Sequence, residues 1–472
     1  MKRTGHTDHT GRTERTEGEG TAERMGRRDW GRSRNRDKDR DLSRAGRTGR
    51  RTKVVFLLHN AYAIGGTVRT TLNLAAALAD RYDVEIVSMR RHRDEPRFAV
   101  DPRIRVVPLV DERDGSADLT DPEYARPATD FPDSDKRYAQ YTRLTDLRVR
   151  EHLTACDADV VIGTRPGINV YVSLFAPRRA LRIGQEHLRH DAHGKRLRGV
   201  LGRHYRWLDA VVTTTEADAE VYRRRMPLPG VRIAAVPNMV PAPEGIIRDG
   251  SAKTVAAAGR LVPAKRFDLL IEAFSAVASK EPDWRLRIYG GGPQRDHLQD
   301  LVDGLGLSAH IRLMGPTTPI EAEFAKSAMV VSASDAESFG MTLVEAMRCG
   351  VPVISTDCPL GPAEIITEGV DGRLVPVGDS RALAGAMLDL IEDAPLRRAM
   401  GEAALVSSHR YDPEPIVARY ESLFTELAAT RARRSWTRTR SRAASWARRR
   451  ARVLRRALSG RPRLNNTRPA GP

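Results

Sequence analysis

The chain of 472 residues has a formal net charge of +18, and that charge is lodged at its ends. Residues 1–52 hold 16 Lys/Arg against 9 Asp/Glu and residues 430–472 hold 15 Arg and no acid, which leaves the 377 residues between them at about −4. A mildly acidic core argues against a nucleic-acid-binding fold, and no apolar run approaches the roughly 20 residues needed to span a bilayer. Three scattered cysteines argue against a disulfide framework or a Cys-metal scaffold.

Met1–Thr52 has almost no aliphatic residues, so it cannot offset chain entropy by burial, and it reads as a disordered basic tail without the apolar core of a signal peptide. Lys53–His59 (KVVFLLH) is a short β-rich run closed by a loop containing Gly65-Gly66-Thr67. The pattern TVRTTLNLAAALAD after it has helical period, with Val68, Leu72 and Leu78 on one face. Strands follow at Val84–Ser88, Ile104–Leu109, Val160–Gly163, Leu181–Gln185, Ala210–Thr214 and Val231–Val236, with a helix expected near Lys136–Ala155. Asp111–Asp135 is acidic, rich in Pro and Asp and without periodicity, and is expected to be a mobile surface loop. Pro237–Lys253 reads as a linker.

The pattern then restarts. Thr254–Ala258 is a strand, Phe267–Ser279 a helix and Trp284–Tyr289 a strand ending in Gly290-Gly291-Gly292-Pro293. Ile311–Met314, Met329–Ala333 and Pro352–Thr356 continue the strands, with helices at Met341–Cys349, Gly361–Glu368 and Ala382–Ile391. Strands alternating with helices in two halves imply an α/β protein with two doubly wound, Rossmann-like domains at 53–238 and 239–412 and a cleft between them. Residues 413–429 form a helix whose stripe of Ile416, Val417, Tyr420, Leu423, Phe424 and Leu427 needs a cover. The N-terminal half is the nearest unused surface.

The chemistry gathers at Ser332–Thr356. A strand, a turn and a helix opening at Met341 would leave the amides of Phe339, Gly340 and Met341 at a helix N-terminus, where a phosphate is favoured. Glu345, one turn into the helix, is in reach of a diol such as a ribose, and Glu337 is expected on the loop, facing outward. Arg260 and Lys265, at the C-terminal end of the Thr254–Ala258 strand, could neutralise a departing diphosphate. Gly65 and Gly66 would let backbone approach a phosphate. Three histidines, His187, His190 and His193, are spaced by two, but no Cys or paired carboxylate completes a metal site. One of them contacting a sugar, His187 for its place beside the strand end, with the others on the surface, is the preferred reading.

Together these residues resemble the retaining GT-B glycosyltransferases of glycosyltransferase family 4. The likeness covers about Lys53 to Ala429 and is most specific at Glu337-x7-Glu345. Gly259-Arg260-Leu261 with Lys265, the Gly290–Pro293 turn and Val236-Pro237-Asn238 add to it. The stretch around Gly361-Pro362-Ala363-Glu364 looks like members acting on bacterial surface glycans. The resemblance implies a nucleotide-sugar donor, expected to be UDP-linked, held by Glu345 at the ribose, Glu337 at the sugar hydroxyls, and Arg260 and Lys265 at the diphosphate. It places Gly66 close to the donor phosphates and His187, with His190 as the alternative, beside the anomeric centre. It implies no metal and no cofactor beyond the donor, retention of configuration, and a glycan or lipid-linked acceptor of the cell envelope or an exopolysaccharide. Where the family carries an acidic residue just after the glycines, this chain has Thr67-Val68-Arg69. A nucleotide-sugar epimerase on the same fold is the alternative activity.

Residues 430–472 read as a second disordered basic tail, in which Arg431–Leu464 intersperses Arg with Trp436, Trp446 and leucines, a composition suited to an anionic bilayer surface. A cytoplasmic chain, peripheral at the inner face of the membrane, is therefore expected. Nucleic acid would attract the same tail through its phosphates, which makes a nucleic-acid-binding protein the rival of a different class.

Overall fold

The computed structural model describes residues 50–243, 252–441 and 443–444. Most of the N-terminal tail, the middle of the predicted linker and most of the Arg-rich segment lie outside the described residues.

Two parallel sheets organise the chain. The first contains β1 (Lys53–Leu58), β2 (Asp83–Arg91), β3 (Arg105–Asp111), β4 (Val160–Gly163), β5 (Leu181–Glu186), β6 (Ala210–Thr213) and β7 (Arg232–Ala235), in the spatial order β3-β2-β1-β4-β5-β6-β7. The second contains β8 (Thr254–Ala258), β9 (Arg285–Tyr289), β10 (Ile311–Gly315), β11 (Met329–Ser332), β12 (Val353–Thr356) and β13 (Gly372–Val375), in the order β10-β9-β8-β11-β12-β13. Val54–Leu58 and Val255–Ala257 are fully buried because helices cover both faces of each sheet, as continuous apolar strands require. Strand order reverses between β1 and β4 and between β8 and β11, so each sheet opens a crevice at those strands' C-terminal ends.

The helix Pro413–Ala429 packs its apolar stripe on the first sheet's layer, among Val54, Phe56, Leu72, Leu78 and Ile86. Each such side chain contributes roughly 1.5–3 kcal/mol on burial. The Gln185 amide donates to Tyr420 Oη at 2.7 Å, fixing the helix beside the end of β5. The chain then stays helical over 431–441, where Arg434 and Arg438 donate to Asp209 Oδ1 at 3.2 and 3.1 Å. The start of the Arg-rich segment is therefore docked, against the expectation of a free tail. It is held by guanidiniums and not by an apolar stripe, so periodicity could not reveal it.

The segment 111–135 is also anchored, not mobile. Phe131 stacks on Tyr141 at 3.6 Å and fills the space where Gly167 would carry a Cβ, 2.1 Å from the ring. The buried Asp146 carboxylate accepts the amides of Thr129 (2.6 Å) and Asp130 (3.0 Å). The helix expected from Lys136 begins at Arg143, where Thr142 forms a capping box. The helix expected over Gly361–Glu368 is reduced to Pro362–Ile365.

Candidate active site

β11 ends at Ser332, and the chain turns through Glu337 to Gly340, whose φ of 113° only glycine adopts readily. The helix Met341–Arg348 starts there, so its first amides lie outside its own ladder and face the crevice beyond β11. Gly361 lies so close that a Cβ would come within 1.9 Å of the Phe339 carbonyl oxygen. The Phe339 ring is buried edge-on against Tyr411, which leaves only its backbone for a ligand.

Glu337 does not face outward. Its carboxylate is 13% exposed, accepts from Ser334 Oγ at 2.8 Å and is ion-paired with Lys265. Lys265 sits in a short 3₁₀ turn after β8 and is thereby held at the crevice. Arg260, on the preceding loop, is exposed and has no side-chain partner among the described residues. That loop is pinned by glycines: a Cβ on Gly290 would stand 1.8 Å from the Gly259 carbonyl, and one on Gly292 2.4 Å from that of Leu261. Backbone therefore meets backbone, and Arg260 is turned outward.

Glu345 is buried, and its carboxylate meets a residue from the other sheet's layer. Arg69 Nη1 donates to Glu345 Oε1 at 3.0 Å, while its other terminal nitrogen pairs with Glu321. Burial pushes the Glu345 carboxyl up to about 7, with Arg69 opposing and Glu321 adding to the rise. Arg69 was marked in the sequence only as a departure from the family's glycine loop, and Glu321 was not singled out at all. Arg69 falls one turn into the helix Gly66–Leu78, three residues after the second glycine, but its partners lie 252 and 276 residues away. Gly65 and Gly66 have open space where a side chain would stand, so the loop leaves room for a ligand.

Two more contacts bridge the layers. Thr214, just after β6, donates its hydroxyl to the Ser338 carbonyl at 2.7 Å. The Glu364 carboxylate accepts the amides of Glu216 (2.9 Å) and Ala217 (2.7 Å), capping the helix Glu216–Arg225. The C-terminal strand edges of both sheets thus face one another across the glutamate motif.

His187 follows β5 on that edge, half-buried, with Nε2 3.4 Å from Gln185 Oε1. Burial and the Arg165 charge pull it down to about 4, so it is neutral at physiological pH. His190 and His193 are buried, against the expectation that they lie on the surface. His190 packs edge-on against Tyr222, and His193 Nε2 lies 3.3 Å from Glu186 Oε2. Both pack on the loop that carries His187. Among the described residues no group of three or more His, Cys, Asp or Glu is placed to hold a metal ion.

Two family models match. Residues 65–239 match the glycosyl transferase 4-like domain, and residues 244–406 match glycosyl transferases group 1. An exopolysaccharide phosphotransferase of Streptomyces coelicolor is 37% identical over 391 residues, covering 80% of this chain and 41% of that protein. The chain thus spans less than half the length of that curated relative. An uncharacterized glycosyltransferase of Haemophilus influenzae is 24% identical over 375 residues, covering 79% of this chain and 99% of that protein. Among solved structures, Anabaena HepE in complex with UDP-glucose superposes with a TM-score of 0.61 at 19% identity, covering 79% of this chain and 99% of that one.

Proposed function

We propose, from the premise that this chain belongs to the group 1 glycosyltransferases with the GT-B fold, that it moves a sugar from a nucleoside diphosphate to an exopolysaccharide or cell-wall acceptor. The observation that carries this reading is the convergence of Glu337, Lys265 and Glu345 at the C-terminal ends of β8 and β11, facing the other sheet through Arg69. A donor's diphosphate would lie at the amides of Gly340 and Met341, with Arg260 and Lys265 as counter-charges. The ribose would meet Glu345, and the sugar hydroxyls Glu337. As the glycosidic bond breaks, negative charge grows on the diphosphate, and fixed cations with a helix N-terminus stabilise it.

The neutral His187, on the opposite wall, would accept a hydrogen bond from the sugar or acceptor rather than repel a cationic transition state. Retention of configuration and independence from metal belong to the same proposal, as does UDP as the carrier. UDP-glucose occupies the HepE structure of the same fold, and the acceptor class follows the name of the Streptomyces relative. No helix among the described residues is long and apolar enough to cross a membrane. We place the chain at the inner membrane face through its Arg-rich segment, where Trp436 is 59% exposed beneath the Arg440 guanidinium. Co-sedimentation with anionic liposomes of the full chain and of a chain ending at Thr430 tests this placement; equal binding removes it.

A thermal-shift panel of nucleotide-sugars tests the transferase reading, since a specific donor stabilises the folded state by mass action. One donor class should raise Tm in the wild type and fail to do so in Glu345→Ala. A shift retained in that variant would refute the placement of the site.

A further inference from the structure

The opposite wall of the crevice carries charge that the donor does not use. His59, Arg165 and His187 stand just past β1, β4 and β5, which are neighbours in the first sheet. Arg137, from the anchored segment before the helix Arg143–Ala155, reaches the same place. Its Nη1 lies 3.2 Å from His59 Nε2 and 3.1 Å from Gln140 Oε1, both uncharged partners. His59 is kept neutral by burial and by the Arg165, Arg137 and Arg90 charges, which pull it down to about 2. Arg165 is 17% exposed, approaches Asp135 only at 3.5 Å, and buries an Nε that has no hydrogen-bond partner. Asp135 meanwhile accepts the amides of Arg137 (2.9 Å) and Gly167 (3.2 Å). Arg90 differs, because Glu112 chelates its Nε at 2.7 Å from both oxygens.

Arg165 therefore has one distant, already occupied carboxylate, and the exposed Arg137 guanidinium has only uncharged partners. A largely buried guanidinium with like charges near it and no close carboxylate is unfavourable unless an anion joins it. A cavity of about 350 Å³ lined by Arg90, Glu112, Tyr124, Tyr138 and Gln140 adjoins this place through Gln140, the partner of Arg137 Nη1.

We propose that Arg137 and Arg165 form an anion subsite on the acceptor wall, and that the acceptor carries a phosphate group which they grip. One guanidinium fork satisfies a carboxylate, whereas a phosphate has oxygens enough for two. The donor diphosphate does not compete for this place, since Arg260, Lys265 and the helix opening at Met341 stand on the other sheet. The inference rests on the transferase reading for the word acceptor, and on geometry alone for the anion.

The full-length chain, saturated with UDP and held at constant ionic strength, is titrated with inorganic phosphate, with acetate as the carboxylate control, and Tm is followed. Phosphate should raise Tm more than acetate does. In the double variant Arg137→Gln/Arg165→Gln the apparent phosphate affinity should fall at least about 10-fold, as loss of charge-assisted hydrogen bonds predicts, while the UDP shift stays. Absence of a phosphate response, equal responses to phosphate and acetate, or an unchanged response in the variant overturns the proposal. If the double variant does not fold, the exposed Arg137→Gln substitution alone decides on the same criteria. If UDP produces no shift at all, the donor reading fails, and the phosphate titration of the bare chain with the same variants still judges the anion subsite.

Discussion

The Arg69 guanidinium, forked between Glu321 and Glu345, ties the first sheet's layer directly to the glutamate motif. A carboxyl raised from its ordinary 4.5 to about 7 holds a proton in the folded chain at pH values where the unfolded chain has lost it. Its contribution to stability is therefore fully present below about pH 4.5, falls as pH rises to about 7, and is constant above. Urea unfolding across that window should show a loss of at most about 3 kcal/mol from this group, and Glu345→Gln should lack that slope. Arg69→Ala leaves two buried carboxylates facing each other. We expect a loss of about 1–3 kcal/mol in the same assay, partly restored by adding Glu321→Gln. A loss unaffected by Glu321→Gln would show that the arginine matters through packing and not through charge. Glu337 and Glu345 were legible in the sequence from their spacing; Arg69 was visible only as a departure from the family's glycine loop.

Loops at the strand ends are held by backbone-on-backbone packing, and glycines report where. Gly361→Ala would drive a Cβ into the Phe339 carbonyl, so it should lower Tm and weaken donor binding together. Gly385→Ala is the contrasting case: the position lies inside the helix Ser380–Glu392 with nothing near its Cβ, and alanine should stabilise by about 0.5–1 kcal/mol. If both substitutions move Tm the same way, steric closeness is not what sets the loop. Elements with apolar period, such as β1, β8 and the helix Pro413–Ala429, were readable in advance. The segment 111–135 was not, because its anchors are carboxylates on backbone amides and a single inserted ring, neither of which repeats along the chain.

Across the whole molecule, the C-terminal helix and its extension bind the chain's end to its first half. Arg434 and Arg438 converge on the buried Asp209 at the opposite edge of the sheet from the crevice. A chain ending at Ala429 should therefore unfold at lower temperature by scanning calorimetry, by about 1–3 °C for about 1–2 kcal/mol lost. An unchanged Tm would mean that the extension merely rests on the surface. The sequence by itself determined the alternation of strands and helices in two halves, the apolar stripe that closes the chain, and the glutamate spacing, because each is written in residues a few positions apart. Only the tertiary structure decided which charges meet: Arg69 with Glu321 and Glu345, Lys265 with Glu337, Arg434 and Arg438 with Asp209, and Arg165 with Asp135. Most of these partners lie tens to hundreds of residues apart, and charge pairing has no period along the chain, so folding alone selects them.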